Sequence, residues 1–101
     1  GPTRDEPHDD RYESWSWTSV EPVARAAVDR LAASLPAEVL RVKGRVLLDD
    51  GSWVLVQVAG RRIGVTACAP AEQSELVAIA VRGTPADSDP GLPNPFVLHF
   101  G

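Results

Sequence analysis

The stretch from Val39 to Gly60 restricts this chain most. Val39-Leu40-Arg41-Val42-Lys43-Gly44-Arg45-Val46-Leu47-Leu48 and Trp53-Val54-Leu55-Val56-Gln57-Val58-Ala59-Gly60 flank Asp49-Asp50-Gly51-Ser52. Polar and apolar residues alternate with the strand period of two, and Asp-Gly supplies the positive backbone angle of a tight reversal. The segment predicts a β-hairpin around which the rest of the chain packs. Leu40, Val42, Gly44, Val46 and Leu48 fall on one face of its first strand, and Arg41, Lys43 and Arg45 on the other. One face is apolar and the other basic.

Upstream, Val20, Val23, Ala24, Ala27, Val28, Leu31, Ala32 and Leu35 recur at spacings of three and four, which predicts a helix ending near Ser34, before Pro36. Ser19 fits as its N-cap, with Glu21 and Pro22 in the first turn and Ala24, Ala26 and Ala27 as packing residues. Tyr12 to Thr18 predicts a first strand that places Trp15 and Trp17 on one side, as core or as a docking surface for another domain. Beyond the hairpin, a reversal at Ala59-Gly60-Arg61 leads into a strand from Arg62 to Cys68, which Ala69-Pro70-Ala71 ends. Glu75 to Arg82 predicts a last strand in which Val77, Ile79 and Val81 alternate with Leu76, Ala78 and Ala80. Both of its faces are apolar, so it belongs in the sheet centre or under cover on both sides.

Thr84 to Pro95 holds four prolines, which exclude a regular helix. Phe96-Val97-Leu98-His99-Phe100 reads as a short apolar strand, able to extend a free sheet edge or to fill space left by a helix. The expected fold class is α+β: an antiparallel sheet of four to five strands with one main helix packed on one face and a Pro-rich C-terminal tail. Residues 1–11 read as a cleavage scar at Gly1-Pro2 followed by an acidic linker, 12–83 as the domain, and 84–101 as the tail with its terminal strand.

A chain of 101 residues makes one domain with a modest core. No apolar segment is long enough to span a membrane and no signal peptide is visible, so a soluble, cytoplasmic protein is expected. The single cysteine, Cys68, excludes an internal disulfide. A net charge of −4 argues against a general nucleic-acid binder, but the charge is uneven. Six of the ten basic residues lie between Arg41 and Arg82, whereas the first thirteen residues carry five acids against two arginines.

Catalytic signatures are missing from the sequence. There is no Walker-type loop, and Gly60-Arg61-Arg62-Ile63-Gly64 is a hairpin turn with no helix after it to aim amides at phosphate. His8-Asp9-Asp10 combines imidazole and carboxylates, yet one histidine in a polar leader falls short of the ligand set of a tight metal site. It reads first as solvated linker. Cys68 reads as structural before it reads as a thiolate ligand, and His99 as a surface or core histidine.

Leu35-Pro36 followed by Val-Leu-Arg-Val-Lys-Gly, a hairpin, and then Val-Gln-Val-Ala-Gly-Arg resembles the C-terminal domain of the CobW family of GTP-dependent metal chaperones, over about residues 12 to 83. Ile79-Ala80-Val81-Arg82-Gly83 is similar to the family strand that closes in glycine, but beyond Gly83 the family's leucine-bearing helix is replaced by the prolines. His8-Asp9-Asp10 is similar to a reduced form of the family's His-rich and acidic linker. The resemblance implies a parent protein with a separate GTPase domain, which uses GTP with Mg and a transition metal such as zinc or cobalt, in metal homeostasis of the cobalamin-biosynthesis type. The family's Cys-x-Cys-Cys motif belongs to that GTPase domain, so this chain is expected to be no enzyme and to hold no cofactor of its own.

The expected role is regulation and protein recognition. Arg41, Lys43, Arg45, Gln57, Arg61 and Arg62 would contact the parent's own GTPase domain or a client metalloprotein, with no nucleic acid and no membrane; homodimer formation is left open. The same charges could equally be solvated on an open sheet face. The alternative function is a stand-alone metal-binding or interaction module using His8, Asp9, Asp10 and Cys68.

Overall fold

The computed structural model describes residues 12–81 and 94–100, the side chain of Leu98 excepted. The hairpin expected from the alternation is formed by β2 (Val39–Leu47) and β3 (Trp53–Ala59). Gly51 takes φ 90° and donates to the Leu48 carbonyl at 2.9 Å, while Asp50 Oδ1 accepts from both the amide and the hydroxyl of Ser52. Gly60, at φ 61°, makes the second reversal, into β4 (Arg62–Ala67). Both glycines sit in a conformation that a Cβ would strain.

β5 (Ser74–Val81) then crosses back to the other side of β2, and β1 (Tyr12–Ser19) pairs with its outer edge. The result is a five-stranded sheet in the order β1-β5-β2-β3-β4, with every neighbour antiparallel. β5 is therefore an interior strand, as its two apolar faces require. Ser74 is fully buried at its start, where its hydroxyl accepts from the Leu47 amide at 2.9 Å and so satisfies both groups.

α1 (Arg25–Ala33) lies on one face of the sheet and buries Ala27, Val28, Leu31 and Ala32. Beneath it Val42, Val46, Val54, Val56, Leu76 and Ala78 form the core. The helix starts later than the apolar spacing suggests. Val23 is extended and bridged in parallel to Leu48, donating to the Leu47 carbonyl at 3.0 Å and accepting from the Asp49 amide at 2.9 Å. Those bonds hold the backbone out of helical geometry, and a residue before proline, here Glu21, already disfavours it. Ser19 still caps locally, its hydroxyl accepting from the Glu21 amide, but it caps a turn; Ala24 is the true N-cap, with no side-chain bond. Val20 is 72% exposed, and of the three alanines expected to pack, Ala24 and Ala26 are exposed.

β2 corrects a second expectation. Its register against β5 passes from Val39 opposite Ala80 to Arg41 opposite Ile79, which leaves Leu40 as the extra residue of a bulge. Leu40 is 45% exposed and Val39 takes its place in the core, so the alternation Leu40/Val42 fails at its first step and holds from Val42 onward.

The terminal apolar run is helical. α2 (Val97–Phe100) follows Asn94, whose Oδ1 accepts from the Phe96 amide at 2.9 Å, and Pro95, a residue suited to a first helical turn. Five apolar or aromatic residues in a row favoured a strand by propensity, but the Asn-Pro start decides for a helical turn. That turn fills space on the helical face, as one of the two readings allowed. Phe96 is buried, Phe100 stacks on Trp17 with centroids 4.5 Å apart, and Phe96 stands 6.4 Å from the same indole. Trp15 and Trp17 are thus half-buried against the core. The Pro-rich segment ahead of Asn94 lies outside the described residues, as do residues 1–11.

Candidate protein-recognition face

The layer of helices covers one side of the sheet, and the described residues leave the opposite side open. Register builds that open face row by row. Ser14, Ile79, Arg41, Ala59 and Arg62 make one row across the five strands. Ser16, Val77, Lys43, Gln57 and Gly64 make the next, and Thr18, Glu75, Arg45, Leu55 and Thr66 the third. The spacing of two that put Arg41, Lys43 and Arg45 on one side of a strand survives because the bulge lies ahead of all three. Every one of them is exposed, and none makes an ion pair with a described residue.

Gln57 and Arg62 lie on the same face, opposite Lys43 and in the row of Arg41. Arg61 does not: it sits in the β3–β4 turn and lines a groove on the helical side. Cys68 follows β4, half-buried, its amide donating to the Trp53 carbonyl at 3.1 Å. His99 Nε2 lies 3.0 Å from Ser34 Oγ, and that hydroxyl donates to the Arg30 carbonyl at 2.6 Å, so the imidazole is the donor to Ser34 and fastens α2 to the end of α1. His8, Asp9 and Asp10 lie outside the described residues.

The sequence reading left out the apolar half of this face. Val77 and Ile79 stand between the serines of β1 and the basic row of β2, and Val77 is 39% exposed. The signal was present in β5, whose second apolar stripe demanded cover that no described element provides. Glu75 was also missed; it faces Arg45 in register and sets one acid at the end of the basic row. Arginine and lysine stems cover apolar surface while their charges stay wet, so the face can bind a surface that combines apolar and acidic groups.

The family model for the cobalamin synthesis protein CobW C-terminal domain matches residues 12–89. The chain belongs to this family. No curated protein matches it. Among solved structures, the Zn(II)-bound YjiA GTPase from E. coli is similar at a TM-score of 0.61 and 24% identity, over 70% of this chain and 25% of that one. The CobW C-terminal domain therefore shares a fold with part of YjiA and spans about a quarter of its length. Among the described residues of the CobW C-terminal domain no three His, Cys, Asp or Glu side chains converge, so these residues do not offer the donor set of a zinc site. No described helix is long and apolar enough to cross a membrane.

Proposed function

We propose that the CobW C-terminal domain is a non-catalytic recognition module of a GTP-dependent metallochaperone, and that it binds through the open face of its sheet. The observation that carries this reading is the juxtaposition of Val77 and Ile79 with Arg41, Lys43 and Arg45 on adjacent strands, on a face that the described residues leave uncovered. A solvated sheet face has no need of two β-branched apolar residues at its centre, and interior strands that read apolar on both sides are strands covered on both sides. The partner is an acidic and apolar protein surface, on the GTPase domain of the same protein or on a client metalloprotein. Nucleotide, its Mg and a zinc or cobalt cargo belong to the GTPase domain in this reading, in a cytoplasmic cycle of metal delivery. The domain then reports nucleotide state by docking and release.

Surface plasmon resonance between this domain and the separate GTPase domain tests the proposal. Lys43→Glu is expected to leave thermal unfolding unchanged and to slow association, with a strong dependence on salt, because charge steers encounter at an exposed face. Unaltered binding by the charge-reversed domain would place the interface elsewhere.

A further inference from the structure

The sheet ends at β4, and none of the described residues pairs with the outer edge of that strand. The bond from the Cys68 amide to the Trp53 carbonyl fixes which backbone groups point inward. Counting back by two along the antiparallel ladder, Thr66, Gly64 and Arg62 are bonded to Leu55, Gln57 and Ala59. The N–H and C=O groups of Ile63, Val65 and Ala67 therefore point off the sheet. Their side chains lie on the helical face, where Ile63 is 52% exposed and Val65 packs against the rim of the core. A groove of about 410 Å³ runs beside them, bounded by Leu35, Pro36, Val58 and Ile63. β4 has no proline, no bulge and no charge after Arg62, so it lacks the devices that blunt an exposed edge.

We propose that β4 pairs antiparallel with β4 of a second copy of this chain, about a two-fold axis at Val65, so that one sheet continues through both. In this register Val65 faces Val65 of the second copy and Ile63 faces its Ala67, a large side chain opposite a small one. On the open face Gly64 meets Thr66. Each outward pair exchanges two backbone hydrogen bonds.

Charge selects the register. Arg61 and Arg62 mark one end of β4, and an axis at Ile63 would set the Arg62 residues of the two copies diagonally beside each other. An axis at Val65 separates them by six residues, roughly 20 Å at about 3.4 Å per residue. That is the widest separation that still keeps Ile63 opposite a strand residue. A single strand pair falls below the area of a stable interface, so the dimer is weak, with a dissociation constant on the order of 100 µM.

Sedimentation equilibrium and amide hydrogen exchange on the 101-residue chain, from about 10 µM to about 1 mM, bracket an interface of that strength. The mass should rise toward that of a dimer, and the amides of Ile63, Val65 and Ala67 should gain protection with concentration, whereas those of Arg62, Gly64 and Thr66 are protected throughout. Ile63→Lys, at an exposed site, should weaken dimerisation at least about tenfold with an unchanged melting temperature, as a charge on an edge does. Val65→Pro removes an outward donor that an edge strand can spare and should weaken dimerisation likewise, with a lower melting temperature because Val65 packs against the rim of the core. Lys43→Glu should leave the dimer intact, which separates this surface from the recognition face. A monomer at the highest concentration, a dimer indifferent to Ile63→Lys, or a dimer that Lys43→Glu dissociates would each overturn the proposal.

Discussion

Gly44 lies so close to Glu75 that a Cβ added to it would stand 1.8 Å from the Glu75 carbonyl oxygen and 2.9 Å from the Leu76 Cα. Both obstacles are backbone of β5, so a side chain at Gly44 is accommodated only if two interior strands separate. Gly44→Ala should cost about 3 kcal/mol, the upper part of the range for overpacking a tight site. Urea unfolding of the two proteins measures it. Gly64 is the contrasting site in the same sheet: a Cβ there meets its nearest atom, the Gln57 carbonyl oxygen, at 3.8 Å, so Gly64→Ala should be close to neutral.

α2 is only one turn long, and its hold on the domain comes from Phe96. That ring is buried and shares the Trp17 indole with Phe100, whereas Val97 on the same turn is exposed. Phe96→Ala should therefore destabilise by about 3 to 4 kcal/mol and Val97→Ala by less than about 0.5 kcal/mol. Tryptophan fluorescence offers a second readout, since removing Phe96 uncovers one side of Trp17. Equal costs in denaturant unfolding would mean that the turn is not docked in solution.

Asp50 and Ser52 give the hairpin a weak dependence on acid. The Ser52 hydroxyl and then its amide, both donating to Asp50 Oδ1, hold the Asp50 carboxyl below the ordinary aspartate value of 3.8. A folded-state value below the unfolded one stabilises the fold above the unfolded value, and that contribution fades as the pH falls through the folded value. The effect therefore belongs below about pH 4. Asp50 is fully exposed, and the readout is its own titration by carboxyl-resolved NMR. In Ser52→Ala the Asp50 midpoint should rise toward the ordinary value.

Period and turn chemistry made most of the sheet legible before any coordinates. The Asp-Gly and Gly-Arg reversals, the strand phases from Val42 onward, and the interior place of β5 all follow from residues a few positions apart. What escaped depends on longer-range bonds. The start of α1 is set by Val23 reaching the far end of β2, and the Leu40 bulge by how β2 meets β5; neither leaves a mark in local spacing. α2 shows the opposite failure, because Asn94-Pro95 was a local signal and apolar propensity outweighed it. At the candidate site, the spacing of two placed Arg41, Lys43 and Arg45 together, but Arg61 was misplaced since a turn residue has no fixed face. Val77 and Ile79 became part of the site only once register set them beside the basic row.

That apolar pair supplies the sharpest test of the recognition face, because its contribution differs in kind from that of the charges. Val77→Thr keeps the β-branched shape and the strand preference of the residue it replaces, at a position already 39% exposed. In the isolated domain the exchange should move stability by less than about 1 kcal/mol. In a complex, the methyl of Val77 would be taken out of water and a hydroxyl in its place would be left without a bond. Binding should then weaken about tenfold, the equivalent of about 1.4 kcal/mol. The loss should fall on the dissociation rate and persist at high salt, whereas Lys43→Glu slows association and loses its effect as salt screens the field. Kinetics measured at two salt concentrations separate the two. If Val77→Thr changes neither rate while Lys43→Glu changes association, the charges steer a partner that seats itself on some other surface of the domain.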